Sequence, residues 1–153
     1  MNRRQFICAA AACFAVGYAP SAHASQPTMT VYKDPTCDCC GAWASAIGEA
    51  DIAVDVQEVE DINTIKRKYR VPKTLEGCHT AVIGGYFIEG HVPLEAVQRL
   101  LNESPAIAGL TVAGMPVGSL GMGDSPKGAS YDVWSVGKSG DTAIYMSVRP
   151  RES

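Results

Sequence analysis

The sequence predicts an α/β protein whose core elements follow the order βαβαββα, with a C-terminal β-hairpin extending that core. Short runs rich in β-branched and aromatic residues alternate with segments of helical periodicity. Glycines and prolines separate these segments, as turns require. Of the 153 residues, 46% are hydrophobic and 19% charged, which is typical of one globular domain.

The first strand and helix are joined by a cysteine-rich turn. Residues 28–32 form a β-prone run, and Asp34, Pro35 and Thr36 supply a turn after it. The helix that follows repeats small and apolar residues at helical spacing: Trp43, Ala46, Ile47 and Ala50. We expect Trp43 to pack in the core.

A second strand and helix come next. The strand carries apolar residues at every second position, as a half-buried strand does: Ile52, Val54 and Val56. The helix repeats apolar residues at intervals of three and four: Ile62, Ile65 and Tyr69. Asp61 stands at the expected N-cap. Residues 66–70 are basic and follow several acidic residues, so we interpret them as a solvent-exposed face of mixed charge.

The core ends in a hairpin and a third helix. Gly84 and Gly85 separate strands predicted at 80–83 and 86–89, and Pro93 opens the helix. One face of that helix is apolar: Leu94, Val97 and Leu101.

The C-terminal third lacks helical periodicity. We expect a glycine-rich loop and then paired strands at 131–136 and 142–148. The mature chain therefore divides into a core at 25–103 and a loop with hairpin at 104–153, packed on the same domain.

The first 24 residues have the pattern of a signal peptide that is removed on export. Arg3 and Arg4 precede an apolar run at 7–18, and small residues at 22–24 supply a cleavage site. Residues 2–7 also resemble a twin-arginine export signal. We expect a periplasmic protein with no membrane span. Because the removed segment contains both arginines and no acidic residue, the net charge falls from −3 to −5, which disfavours a nucleic-acid partner.

Loss of the signal peptide leaves four cysteines: Cys37, Cys39, Cys40 and Cys78. In an oxidising compartment they could form structural disulfides. Disulfide geometry favours the arrangement that pairs Cys37 with Cys40 and Cys39 with Cys78. Each of the other two arrangements contains a strained bond, either between the neighbours Cys39 and Cys40 or between Cys37 and Cys39, which have one residue between them.

A Cys-x-x-Cys element between the first strand and the first helix is the arrangement of a thioredoxin-like domain. The positive end of the helix dipole favours thiolates there. The loop before the third strand, which usually carries a cis-proline in that fold, here carries Cys78. It would bring a fourth sulfur to the other three. Convergent thiolates favour a soft metal, and adjacent Cys39 and Cys40 fit a thiolate-bridged Cu(I) cluster better than a single zinc ion.

Four further residues are candidate ligands. His79 could bind metal or fix its loop through a hydrogen bond, and His91 could support a ligand or simply cap the third helix. Met115 and Met122 flank a glycine-rich segment, and their thioethers suit Cu(I), although methionine is also a common apolar filler.

The sequence resembles the CopG-type family of bacterial copper-resistance proteins, also described as domain of unknown function 411. The shared segments are Val31-Tyr32-Lys33-Asp34-Pro35-Thr36-Cys37-Asp38-Cys39-Cys40-Gly41, Gly77-Cys78-His79-Thr80-Ala81, Glu89-Gly90-His91-Val92-Pro93, Gly109-Leu110 and Gly114-Met115-Pro116-Val117-Gly118-Ser119. The resemblance implies an exported thioredoxin-like protein whose cysteines bind copper, as a multinuclear cluster, with a role in copper redox handling. The sequence departs from the family at Leu120, where relatives have proline.

The sequence is compatible with two functions. One is a copper-binding protein of the cell envelope that sequesters, carries or oxidises and reduces copper together with other copper-handling proteins. The other is a thiol-disulfide oxidoreductase that uses the Cys37/Cys40 pair. The sequence decides neither whether the chain is an enzyme nor its oligomeric state.

Overall fold

A computed structural model describes residues 27–124 and 128–150. The predicted signal peptide lies outside the described residues. Within them the chain forms seven strands and three α-helices, and the first seven elements follow the predicted βαβαββα order. The elements are β1 (Met29–Lys33), α1 (Asp38–Gly48), β2 (Val54–Glu58), α2 (Ile62–Lys68), β3 (Thr80–Ile83), β4 (Tyr86–Glu89), α3 (Leu94–Glu103), β5 (Ile107–Thr111), β6 (Tyr131–Gly137) and β7 (Thr142–Val148).

All seven strands belong to one sheet with the order β2-β1-β3-β4-β5-β6-β7. The pairs β1/β2 and β4/β5 are parallel, and the other neighbours are antiparallel. The parallel pairs need crossovers, which α1 and α3 provide. The α/β class is therefore confirmed.

The helix starts follow their local sequence. Asp61 caps α2 as predicted, because its side chain accepts a hydrogen bond from the Asn63 N–H at 3.0 Å. Pro93 immediately precedes α3, where its missing N–H costs nothing. Cys37 immediately precedes α1 and makes no side-chain capping bond. No helix among the described residues is long and apolar enough to cross a membrane.

The core lies between the sheet and the helices. Trp43 is fully buried, as predicted, and its Nε1–H donates to the Val92 carbonyl at 2.8 Å. This bond ties α1 to the segment that leads into α3. Further fully buried apolar residues are Met29, Val31, Ile47, Ile88, Leu100 and Leu110.

Strand β5 is absent from the prediction. It joins β4 to β6, so the C-terminal hairpin continues the main sheet instead of standing apart from it. The strand was not predicted because it contains Gly109, and glycine weakens the sequence pattern of a strand. The glycine is needed here, since a Cβ would lie 2.2 Å from the Phe87 carbonyl oxygen.

Two predictions of burial are wrong. Strand β2 is largely exposed instead of half-buried, and Val56 keeps 42% of its surface, because β2 is the edge of the sheet. Lys66, expected on a solvated face, is buried and paired with Glu89. It follows Ile62 by four residues and therefore lies on the inward face of α2.

Candidate metal centre

Three of the four cysteines lie at the start of α1. Cys37 precedes the helix, and Cys39 and Cys40 lie in its first turn. The turn before them is held by Asp34, whose side chain accepts from the Thr36 N–H at 2.8 Å and whose carbonyl accepts from the Cys37 N–H at 3.0 Å. Unpaired backbone N–H groups and the helix dipole favour negative charge on sulfur here.

Among the described residues there is one disulfide, between Cys37 and Cys40, with their Cα atoms 5.4 Å apart. Cys39 and Cys78 are free thiols. The arrangement with two structural disulfides is thus half formed. Cys40 is fully buried, whereas the other three cysteines are partly exposed.

Cys78 reaches the site on the loop before β3. Gly77 lets this loop pass close to the connection after β4, since a Cβ on Gly77 would lie 2.5 Å from the Gly90 Cα. The Gly90 N–H donates to the His79 carbonyl at 2.9 Å and fixes the crossing. The sulfurs of Cys37, Cys39, Cys40 and Cys78 consequently all lie within 4.8 Å of one another. The predicted convergence is present.

His91 directs a nitrogen lone pair at Cys78. Its Nδ1 lies 2.7 Å from the Leu120 carbonyl oxygen, and that oxygen can only accept. Nδ1 therefore carries the proton, and Nε2 of the neutral ring is unprotonated. Nε2 lies 3.0 Å from Cys78 Sγ. The two atoms are arranged either for an S–H to nitrogen hydrogen bond or for a shared metal ion.

His79 is buried beside the same sulfur. Its Nδ1 lies 3.5 Å from Cys78 Sγ, and its ring stacks at a tilt on Trp43 with 4.4 Å between centroids. Its Nε2 has no hydrogen-bond partner among the described residues, which is costly for a buried polar atom. Donor atoms of Cys78, His79 and His91 also lie within 4.8 Å of one another.

Burial controls protonation at the site. It raises the pKa of the Cys78 thiol to about 12, with the charge of Cys39 adding to the effect. Burial, with a smaller contribution from His91, lowers the pKa of His79 to about 3. It also lowers the pKa of His91 against the opposing effect of the bond to Leu120. Both imidazoles are thus neutral and able to bind a cation at neutral pH.

The glycine-rich loop lies against the cysteine helix. Gly121 packs so closely on α1 that a Cβ would lie 2.7 Å from the backbone nitrogen of Trp43 and 3.0 Å from the carbonyl oxygen of Cys39. The neighbouring Leu120 holds His91 through its carbonyl. Because this contact uses a backbone oxygen, the departure from proline at position 120 leaves the contact intact.

The two methionines occupy different environments. Met115 is 56% exposed and follows Gly114, which forms a parallel bridge with Gly77 beside Cys78. Met122 is half-buried and follows Gly121. Their binding to a metal stays a prediction.

Two residues near the site were not found from the sequence. Glu89 and Lys66 form a buried ion pair below the Cys78 loop, and Glu89 accepts a hydrogen bond from the Gly77 N–H at 2.7 Å. The available indication was Lys66 itself, which interrupts the apolar face of α2 at a helical spacing.

Comparisons with known proteins identify a family model and two solved structures that are similar to this chain. A family model described as "Protein of unknown function, DUF411" matches residues 75–122, which include Cys78, His79 and His91. A solved structure titled "Copper resistance protein copG- Form 1" is 31% identical, with a TM-score of 0.76, and the match covers 81% of this chain and 98% of that one. A second solved structure, "Copper resistance protein copG- Form 2", is 32% identical, with a TM-score of 0.75, and the match covers 80% of this chain and 98% of that one. No curated protein sequence matches significantly. Since more than 30% identity extends over nearly the full length of both solved structures, this chain belongs to the CopG family of copper-resistance proteins.

Proposed function

We propose that the protein is an exported copper-binding protein that holds Cu(I) as a multinuclear thiolate cluster on Cys37, Cys39, Cys40 and Cys78. The observation that carries the proposal is the convergence of these four sulfurs within 4.8 Å. Thiolate sulfur prefers soft ions, and Cu(I) is the softest of the common candidates. Both similar structures are of a protein named for copper resistance.

Several ions fit this donor set better than one. Adjacent side chains such as Cys39 and Cys40 cannot easily converge on a single small tetrahedral centre, so zinc is disfavoured. Bridging thiolates would let each sulfur contact two Cu(I) ions. His91 Nε2 is the nearest nitrogen donor, and His79 is the second. Met115 and Met122 would supply thioether ligands during entry or binding.

Loading of all four sulfurs requires reduction of the Cys37–Cys40 disulfide. An external dithiol reductant would convert the disulfide to two thiols by thiol-disulfide exchange and would itself be oxidised to a disulfide, and Cu(I) would then displace the thiol protons. The redox state of this pair would thus control how many sulfurs are available. This coupling supports a role in copper storage, transfer or redox handling in the periplasm, together with other copper-handling proteins of the envelope.

Anaerobic titration of the reduced mature protein with Cu(I), against a competing chelator, tests the proposal. We expect more than one tightly bound copper per chain and a clear loss on Cys78→Ser. The matched control is the same substitution, Cys78→Ser, in the oxidised protein. There the disulfide already removes two of the four ligands, so the substitution should change copper binding much less. Binding no tighter than that of the chelator would refute the proposal.

A thiol-disulfide oxidoreductase is the second candidate. The disulfide at the start of α1 favours it, because a thiolate there is stabilised as leaving group and nucleophile. The oxidoreductase function, however, assigns no role to Cys39 or Cys78. Insulin reduction distinguishes the two functions: rapid turnover that survives Cys78→Ser would favour the oxidoreductase.

A further inference from the structure

An ion pair is buried directly beneath the loop that carries Cys78. Lys66 is 3% exposed and Glu89 fully buried. Removing two charges from water is expensive, and well-packed apolar residues of similar size often serve stability as well or better. Packing alone therefore does not account for a charged pair here.

The Glu89 carboxylate binds both sides of the Cys78 loop. Its Oε1 accepts from the Gly77 N–H at 2.7 Å and from the Lys66 ammonium, and its Oε2 accepts from the Thr80 hydroxyl at 2.6 Å. Gly77 immediately precedes Cys78, and Thr80 follows it by two residues. One side chain thus spans the loop from below.

Cys78 lies in neither a helix nor a strand. Backbone contacts hold the loop on its other sides, through the bridge of Gly77 with Gly114 and the bond from the Gly90 N–H to the His79 carbonyl, and Glu89 is the buried side chain that holds it from below. The bond to Glu89 orients the peptide between Glu76 and Gly77, immediately before Cys78. Because Lys66 balances the charge of Glu89, the support adds no net charge below a site rich in thiolates.

We propose that Glu89, balanced by Lys66, is a positioning residue that holds Cys78 where its sulfur shares metal ions with the three cysteines of α1. The metal part rests on the proposed function, whereas the placement of Cys78 does not. Glu89 itself touches no sulfur and acts through the Gly77 peptide.

Two double variants isolate the hydrogen bond from the charge. Lys66→Met with Glu89→Gln keeps an oxygen acceptor for Gly77 and lets the amide nitrogen donate to Thr80. Lys66→Met with Glu89→Met removes the acceptor at similar volume. Neither variant leaves an unpaired buried charge.

The first readout is Cu(I) affinity. We expect the Met/Gln variant to bind like the wild type and the Met/Met variant to lose about 10- to 100-fold, as loss of a ligand's supporting partner typically does. Adding Cys78→Ser should cost the Met/Met variant little more, because Cys78 is already displaced. Equal affinity of the two double variants, or an undiminished effect of Cys78→Ser in the Met/Met background, would overturn the proposal.

The second readout needs no copper. In the oxidised protein Cys39 and Cys78 are the free thiols of the described chain, so iodoacetamide alkylation of Cys78 can be referred to Cys39. We expect the ratio to rise several-fold in the Met/Met variant only. Tyr86→Phe, which loses a hydrogen bond to Pro105 at the other end of β4, is the control for general destabilisation. An equal rise in that control would contradict a positioning role.

The copper-free readout keeps the two proposals separable. A wild type that binds Cu(I) weakly refutes the proposed function, and the alkylation ratio still decides the role of Glu89. Should the Met/Met variant not fold, hydrogen exchange at the Gly77 amide of the wild type replaces it. Slow exchange supports the bond to Glu89, and exchange at the rate of an open loop contradicts it.

Discussion

Cys78 is the residue on which the site depends most, because it arrives from a different part of the fold than the other three cysteines. His91 approaches its sulfur with an unprotonated nitrogen, and Leu120 fixes that tautomer. Burial also raises the pKa of this thiol to about 12. Its environment therefore keeps the metal-free thiol protonated until a cation arrives.

This protonation predicts how Cu(I) affinity depends on pH. Because the Cys78 thiol is protonated at neutral pH, binding it as thiolate releases one proton, and affinity rises with pH by about tenfold per unit from this thiol alone. Cys78→Ser should lower the slope of log affinity against pH by about one. Competition titrations at several pH values measure the slope.

His79 supplies the control for that slope. Its pKa is lowered to about 3, so it holds no proton for Cu(I) to displace near neutral pH. His79→Asn should therefore leave the slope unchanged even if affinity falls. A slope unaffected by Cys78→Ser, or an affinity that decreases as pH rises, would contradict the assignment.

At the scale of elements, the site is assembled where α1, the loop before β3 and the glycine-rich loop meet. Gly121 lies against α1, and Leu120 beside it holds His91. The covering loop is thus coupled to a ligand candidate through one backbone carbonyl. Its shape depends on glycines in the left-handed region.

Two glycine substitutions test this coupling. Gly121 and Gly123 both have positive φ, 84° and 73°, but only a Cβ at Gly121 would strike α1. We expect Gly123→Ala to cost about 1 kcal/mol of stability from backbone strain alone. Gly121→Ala should cost about 1–3 kcal/mol and also weaken Cu(I) binding, since Leu120 moves away from His91. Urea unfolding and competition titration measure the two effects, and equal Cu(I) affinity in both variants would refute the coupling.

Local sequence predicted the elements well where turn chemistry is explicit. Gly84 and Gly85 placed β3 and β4 at their observed bounds, and Asp61 marked the start of α2. Strand β5 was missed because it contains a glycine that is required by its neighbour Phe87. The cysteines of the site were predicted from spacing and topology. The ion pair of Lys66 with Glu89 was not predicted, because the two residues lie 23 positions apart in sequence and the helical spacing of Lys66 gives no indication of its partner.

At the scale of the whole molecule, the single sheet joins the C-terminal hairpin to the cysteine-bearing core through β5. The Cys37–Cys40 disulfide stabilises the start of α1, and the proposed metal cluster would stabilise it in a second way. The two would exclude each other at those two sulfurs. The free energy of unfolding should therefore show whether the disulfide or the metal stabilises this part of the protein.

Reduction without metal should destabilise the fold. Closing a loop of this size stabilises a protein by about 2 kcal/mol in the chain-entropy model, so the reduced metal-free protein should lose a similar amount. Cu(I) at a hundred times its dissociation constant should restore about 2.7 kcal/mol. Urea unfolding of the oxidised, reduced and Cu(I)-loaded forms measures this, with the Cys37→Ser/Cys40→Ser variant as control. An equal effect of reductant on that variant would show that another group is responsible.

X-ray absorption at the copper edge of the Cu(I)-loaded, reduced protein tests the central claim most directly. The shared thiolate site predicts a first coordination sphere dominated by sulfur and a copper neighbour in the next. In Cys78→Ser the copper neighbour should weaken or disappear. A single copper surrounded only by nitrogen or oxygen, unchanged by Cys78→Ser, would contradict the account.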